Sequence, residues 1–179
     1  MARLLTPAEI GIFSVGIAVV GMAHMLRGFG VGSYLIQEKE LTRDKIRAAF
    51  TVALVIAWVM AGVLIALSGP MADFYDEPGV HQVMMVLSIN FFLIPFSAPI
   101  LALLNREMNF AALFCIGVMS TFAGAATSVT MAILGFGFMS LAWGSVAGIL
   151  TTVVVANLNR PSLAQVLPSF RGWRQIVSF

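Results

Sequence analysis

Long uncharged stretches alternate along the chain with short clusters of charged residues. The uncharged stretches cover residues 10–26, 48–72, 82–105 and 108–159, and most of their positions are apolar. A helix needs about 20 apolar residues to cross the hydrocarbon core of a bilayer. The first three stretches therefore each predict one crossing, and the last stretch is too long for a single helix.

The last stretch divides at the sequence LGFGFMS, where two glycines favour a tight turn. Backbone groups inside a bilayer must be hydrogen-bonded within the protein, which favours helices, and the strict alternation of a membrane β-barrel is absent. We therefore predict an all-α integral membrane protein, a bundle of about five transmembrane helices. The predicted spans are 10–33, 48–69, 82–104, 112–134 and 138–158, followed by a tail at 159–179.

Short motifs indicate how these helices begin, bend and pack. TPAE predicts a capping box with Thr6 as N-cap and Glu9 as its carboxylate, and EPG at 77–79 again sets an acid and a proline before a span. Pro95 and Pro99 predict that the third span kinks or recovers its lost hydrogen bonds elsewhere. Small residues spaced four apart predict close packing in the last two spans, at Ser120, Gly124 and Ser128 and at Gly144 and Gly148.

Composition agrees with a membrane protein and excludes several other classes. The chain is 60% hydrophobic and 10% charged, with a mean hydropathy of +0.98, whereas soluble domains have about 25% charged residues. The net charge of +2 is too small to indicate nucleic-acid binding. Cys115 is the single cysteine, so the chain has neither a disulfide framework nor a cysteine-based metal site.

The charged clusters predict the orientation. Arg3 and the acids Asp73, Asp76 and Glu77 belong to one side of the predicted topology. The other side holds most of the basic residues, namely Lys39, Arg43, Lys45, Arg47, Arg106, Arg160, Arg171 and Arg174. By the positive-inside rule, the loop at 37–47 and the tail are cytoplasmic.

The segment RGFGVG resembles a phosphate-binding loop at first sight. Its glycines, Gly28, Gly30 and Gly32, continue an apolar helix and do not follow a strand, so a dinucleotide fingerprint is not supported. They fit better as positions that bend the inner half of the first span or allow close helix contact.

Arg27 and His24 are the candidate site residues of the first span. They are three positions apart and so share a helix face, which continues through the small residues Ser14, Ala18 and Gly21. Arg27 either faces the bundle interior, as intramembrane charges usually do, or extends to the lipid phosphates. His24 fits either a substrate-facing role or a hydrogen bond between helices, and the second interpretation is favoured.

Asn90 is the third candidate for substrate binding. Asn90 and Ser97 are seven positions apart and lie on one helix face. They either line a polar cavity or bond a neighbouring helix, and the second interpretation is favoured.

Catalytic machinery is not visible in the sequence. All eight acids lie in loops or at span ends, and no carboxylate pair, His/Cys cluster or Ser-His-Asp set is seen. We predict neither an enzyme nor a metal or cofactor site. Because the charged candidates within spans are cationic, an anionic substrate is favoured.

Four segments together resemble the amino-terminal half of bacterial polysaccharide flippases, in the multidrug/oligosaccharidyl-lipid/polysaccharide export superfamily. The segments are ARLLTPAEIGIFSVG, FGVGSYLIQEKELTRDKIRAAF, LIPFSAPILALLNREMNFAALF and LGFGFMSLAWGSVAG. The resemblance covers essentially the whole chain. It implies one part of a larger two-lobed helical bundle in the cytoplasmic (inner) membrane, working by alternating access.

The resemblance also implies a substrate and partners. The substrate is an undecaprenyl-pyrophosphate-linked oligosaccharide moved from the inner to the outer leaflet for lipopolysaccharide or exopolysaccharide synthesis. Arginines that line the amino-terminal cavity of related lipid-linked sugar flippases attract the pyrophosphate, and Arg27 is the candidate for this role here. The implied partners are membrane lipid, the remaining spans of the same protein, the polysaccharide polymerase and glycosyltransferases, with no nucleic acid.

Two departures from the family pattern affect these expectations. The motif ARLLTP follows Met1 directly and the chain stops at WRQIVSF, which suggests spans two to six of a longer protein. Relatives often carry an acid at the position of Gly28, which leaves the pairing of Arg27 in question. The alternatives are a multidrug-type antiporter of the same superfamily, a non-transporting membrane subunit and a membrane-embedded enzyme.

Overall fold

The computed structural model describes residues 6–28 and 43–159, with every side chain in these ranges except those of residues 7, 23–28 and 43–45. This part of the chain is a bundle of six α-helices without β-strands. The helices are α1 (Pro7–Gly28), α2 (Arg43–Phe74), α3 (Pro78–Leu93), α4 (Ala98–Arg106), α5 (Phe110–Ile133) and α6 (Met139–Leu158), and one 3-10 turn (Ile94–Phe96) lies between α3 and α4.

Several of these helices are long and apolar enough to cross a membrane. Within the described ranges, four stretches meet that condition, and the apolar part of α1, Ala8–Met22, is shorter. The four stretches are Ile46–Phe74, Pro78–Phe96, Phe110–Ile133 and Met139–Leu158. The all-α membrane class is thus confirmed, whereas the five individual span boundaries stay predictions. Gly30 and Gly32 lie outside the described residues.

Local signals at the helix ends are confirmed in part. The backbone N–H and hydroxyl of Thr6 donate to Glu9 Oε2 at 2.7 and 2.8 Å, and the N–H of Glu9 donates to Thr6 Oγ1 at 3.3 Å, which is the expected capping box. These bonds lower the pKa of Glu9, which precedes the first predicted span. At α3, Glu77 is the N-cap and Pro78 follows it, but the Glu77 side chain makes no capping bond.

α3 is the central helix of the bundle and packs against α1, α2 and α6. Its buried apolar side chains form one core with residues of those three helices, whereas Met85 and Phe92 are exposed. The approach of α1 is close: a Cβ added at Gly16 would lie 2.6 Å from Val83 Cγ1, and one at Gly79 would lie 3.0 Å from Ile12 Cγ2. Glycine at these positions therefore sets the distance between α1 and α3.

α5 and α6 form the second close pair, through the small residues expected from the sequence. A Cβ at Gly124 would lie 3.0 Å from the carbonyl oxygen of Gly144, and one at Gly148 would lie 3.2 Å from that of Ser120. The turn between the two helices contains Gly135 (φ +84°) and Gly137 (φ +52°), which adopt the left-handed conformation that favours glycine. Both expectations, the turn and the small-residue packing, are confirmed.

The third predicted span, 82–104, is two helices with a break, where the sequence left a kink open as one outcome. α3 ends at Leu93, the 3-10 turn follows, and α4 begins at Ala98. The predicted cytoplasmic loop at 37–47 also ends earlier than expected, because α2 begins at Arg43 and includes Arg47.

The two ends of the bundle bring together the groups that the charge pattern assigns to opposite membrane faces. Gly79 lies near both Ile12 and Phe138, so the starts of α1 and α3 and the α5–α6 turn share one end. At the other end, Asn157 of α6 lies against Phe96. The direction of the bundle relative to the cell stays a prediction.

Candidate functional site

Asn90 is the most buried polar candidate predicted from the sequence. It lies in the last turn of α3 with 1% of its surface exposed. Its Nδ2 donates to Ser145 Oγ of α6 at 2.9 Å. The favoured interpretation, a bond to a neighbouring helix, is therefore confirmed for the amide nitrogen.

The other half of the same amide has no such contact. Asn90 Oδ1 is inaccessible and has no hydrogen-bond partner. A buried acceptor left without a partner costs about 1–3 kcal/mol, and native proteins usually supply one. The amide of Asn90 is thus held in place through its nitrogen, while its oxygen is a buried acceptor without a partner.

Ser97 does not share this environment, although it was expected on the same face. Its hydroxyl donates to the carbonyl oxygen of Ile94 at 3.1 Å, within its own segment. Because the chain breaks between Asn90 and Ser97, the regular helical spacing that predicted a common face does not apply.

His24 and Arg27 lie on the last turns of α1, and their side chains are outside the described part of the structure. The backbone still fixes their height in the bundle. α1 and α3 start at the same end, with Ile12 beside Gly79 and Gly16 beside Val83. The two contacts pair residues of α1 and α3 that are the same number of positions apart in the sequence. Since α-helices rise by the same amount per residue, continuing this pairing along both helices brings His24 level with Phe91 and Arg27 level with Ile94.

The three predicted site residues therefore fall within about one helical turn of each other along the bundle axis. This level, defined by His24, Arg27 and Asn90, lies between the apolar core of α3 and the break before α4. We call it the polar level.

Ser145 is the residue of this level that sequence reasoning missed. A signal for it existed, because Gly144 and Gly148 mark the face of α6 that packs on α5. The next residue, Ser145, is rotated by about 100° from that face, and it meets α3. No feature of the sequence indicated that its partner is Asn90.

A second polar region lies at the opposite end of the bundle. A cavity of about 350 Å³ is lined there by the α2–α3 turn, including Asp73, Asp76, Glu77 and His81. Among the described residues, no three His, Cys, Asp or Glu side chains are arranged to hold a metal ion.

Arg47, in the first turns of α2, is half-buried, and its Nε has no hydrogen-bond partner.

Comparison with known proteins gives the family. The family model described as polysaccharide biosynthesis protein matches residues 1–179. The chain is 31% identical over 144 residues to the succinoglycan biosynthesis transport protein ExoT of Rhizobium meliloti (strain 1021), covering 79% of this chain and 28% of that protein. It is 25% identical over 184 residues to the lipopolysaccharide biosynthesis protein WzxC of Escherichia coli (strain K12), covering 96% and 37%.

A further relative is an uncharacterized membrane protein in the cps region of Klebsiella pneumoniae, which is 25% identical over 134 residues. The chain spans about a third of the length of these relatives. No solved structure matches it significantly. With the family model matched along its whole length and several helices apolar enough to cross a membrane, the chain is a multi-pass membrane protein of the polysaccharide biosynthesis protein family.

Proposed function

We propose that this bundle is part of a polysaccharide flippase. Its substrate is an undecaprenyl-pyrophosphate-linked oligosaccharide, moved from the inner to the outer leaflet of the cytoplasmic membrane by alternating access. The observation that carries the proposal is the polar level, where a buried, half-satisfied Asn90 shares its height with two basic residues of α1. The names of ExoT and WzxC support a role in exopolysaccharide or lipopolysaccharide synthesis.

The chemistry of the polar level suits a lipid-linked pyrophosphate. Arg27 supplies a planar guanidinium that binds two phosphate oxygens at once, and His24 offers a second donor. Asn90 Oδ1 is an acceptor and so repels a phosphate oxygen, but once exposed by an opening of the bundle it would accept a hydrogen bond from a hydroxyl of the first sugar. Donors and an acceptor at one height thus match an anionic group followed by a polar one.

The surrounding apolar helices fit the lipid part of the same substrate. The outward face of α5 carries large exposed side chains, among them Phe114 (71% exposed) and Phe122 (76% exposed), which favour contact with acyl chains. The remaining spans of a full flippase would enclose the polar level on its other sides. The polysaccharide polymerase and glycosyltransferases are the partners that would use and supply this substrate.

The proposal is tested by complementation of a flippase-deficient strain with a transport-competent protein that includes these 179 residues. Arg27→Lys keeps the positive charge but loses the planar guanidinium that binds two phosphate oxygens, and Arg27→Ala loses both. Both variants should lower polysaccharide export at unchanged protein level, whereas the control Arg106→Lys, at the end of α4, should not. If Arg27→Ala exports polysaccharide at the parent rate, Arg27 only anchors the helix to lipid and the site assignment is wrong.

A further inference from the structure

The break between α3 and α4 has a specific cause in the sequence. Pro95 has no N–H to donate to the carbonyl of Phe91, and Pro99 has none to donate to the carbonyl of Pro95. The chain changes there to a 3-10 turn, in which the N–H of Ser97 donates to the carbonyl oxygen of Ile94 at 3.0 Å. Two donors are thus lost from the same row of helical hydrogen bonds.

A single proline does not have this effect elsewhere in the same bundle. Pro70 lies inside α2, which continues through it as one helix from Arg43 to Phe74. The comparison indicates that the pair of prolines, four residues apart, makes the interruption. It also supplies a control within the same protein.

The break separates two apolar clusters that share no residue. Before it lies the α3 cluster, in which Val83, Leu87 and Phe91 pack with Val20 of α1, Leu64 of α2 and Val146 of α6. After it lies the α4 cluster, in which Ile100 and Leu104 pack with Ile116 of α5 and with Val155 and Ala156 of α6. α2 and α6 pack on both sides of the break, but the two clusters use different residues of α6.

Asn157 connects the break to α6. Its Nδ2 donates to the carbonyl oxygen of Val153 in its own helix at 2.8 Å and to that of Phe96, in the 3-10 turn, at 3.4 Å. Asn159, two residues later, donates to Val155 at 2.9 Å. The bond to Phe96 is long and hence weak, as expected of a contact that can open.

We propose that the 3-10 turn Ile94–Phe96 is a hinge about which α4 moves relative to α3 and α6, and that Asn157 holds it in the observed position. The hinge begins four residues after Asn90, so its opening changes access to the polar level from the end of the bundle that carries Arg106. This inference goes beyond the proposed transport function and does not depend on it.

Hydrogen exchange tests the hinge without any substrate. In the full chain in lipid nanodiscs, amides of 100–104 should exchange at least about tenfold faster than those of 83–90, because the hinge lets α4 open separately from the core. Equal rates in the two segments would mean that α3 and α4 open as one unit, and would overturn the hinge. A failure of the export assay leaves this measurement unaffected.

Closing the break gives a matched pair of variants. The double variant Pro95→Ala/Pro99→Ala restores two backbone donors, so a continuous helix should slow exchange at 97–101 by about tenfold. Pro70→Ala also removes a proline from a helix and should leave exchange at 97–101 unchanged. If both variants change this exchange equally, the prolines at 95 and 99 do not form a hinge.

A second pair tests the contact that holds the hinge, even if the double variant does not insert. Asn157→Leu removes the donor to Phe96 while roughly keeping the side-chain volume, and should speed exchange at 97–101 about threefold. Asn159→Leu removes only a bond within α6 and should leave exchange there unchanged. Equal effects of the two substitutions would show that Asn157 does not hold the turn.

Discussion

The α5–α6 interface offers a stability prediction whose size follows from the structure. A Cβ added at Gly144 would overlap Ser128 Oγ and lie 2.8 Å from the carbonyl oxygen of Gly124. The hydroxyl can rotate away, but the carbonyl belongs to the helix backbone and cannot. Gly144→Ala therefore forces α5 and α6 apart.

The expected cost is obtained by comparison with a glycine that has free space around it. Added volume in a well-packed interface costs about 1–3 kcal/mol, while glycine to alanine within a helix gains about 1 kcal/mol. Gly117, in α5, has no atom within 4 Å of an added Cβ. Gly117→Ala should therefore gain helix stability without any steric cost. The difference in unfolding free energy between the two variants is then the steric cost, about 1–3 kcal/mol.

The assay is unfolding in mixed micelles with a rising fraction of SDS, followed by tryptophan fluorescence, to which Trp143, next to Gly144 in α6, contributes. Gly144→Ala should unfold at a lower SDS fraction than the parent, and Gly117→Ala at an equal or higher one. Adding Ser128→Ala should restore only part of the loss, because the Gly124 carbonyl remains. If Gly144→Ala and Gly117→Ala unfold together, the two helices do not approach as closely as the structure shows.

Three further predictions concern orientation, pH and the polar level. Cysteines are introduced at Glu40 and at Asp76 in a background free of other cysteines and probed with an impermeant thiol reagent on intact cells. The cysteine at 76 should be labelled and the cysteine at 40 should be protected; the opposite pattern would reverse the topology. The capping bonds of Glu9 lower the pKa of its carboxyl group below the ordinary 4.5. The stability that these bonds contribute is therefore present above pH 4.5 and is lost as the pH falls through the lowered pKa. Glu9→Gln should accordingly make the unfolding temperature less dependent on pH on the acid side. Asn90→Leu removes a half-satisfied amide and should lower export while changing the unfolding free energy by less than about 1 kcal/mol. Ser145→Ala leaves Asn90 Nδ2 without a partner and should lower the unfolding free energy by about 1–3 kcal/mol. A large loss of stability in Asn90→Leu with normal export would make Asn90 purely structural.

The features that the sequence predicted correctly depend on neighbouring residues. The capping box of Thr6 and Glu9 and the glycine turn at 135–137 are formed by residues within a few positions of one another. The close packing of α5 on α6 also followed from the spacing of small residues, because small residues four apart on one helix face let another backbone approach closely.

The features that the sequence left open depend on which helix faces which. Asn90 had two interpretations, and only the position of Ser145 on α6 decided for a bond between helices. The break at Pro95 and Pro99 was visible as a kink or a loss of hydrogen bonds, but its form depends on which residues of the neighbouring helices α3 and α4 pack against. Contacts between residues far apart in sequence have no local pattern from which they can be read.

The polar level and the hinge are adjacent, and their order along the chain has a physical consequence. Asn90 is fixed to α6 by a short bond of 2.9 Å, whereas Phe96, at the end of the 3-10 turn, is fixed to the same helix by a bond of 3.4 Å. A force that separates α3–α4 from α6 therefore opens the contact at Phe96 first and leaves the amide of Asn90 in position. The bundle can thus open beside its polar residues without breaking the hydrogen bond between Asn90 and Ser145. A binding site that becomes accessible from one side has to keep its polar residues in place in this way.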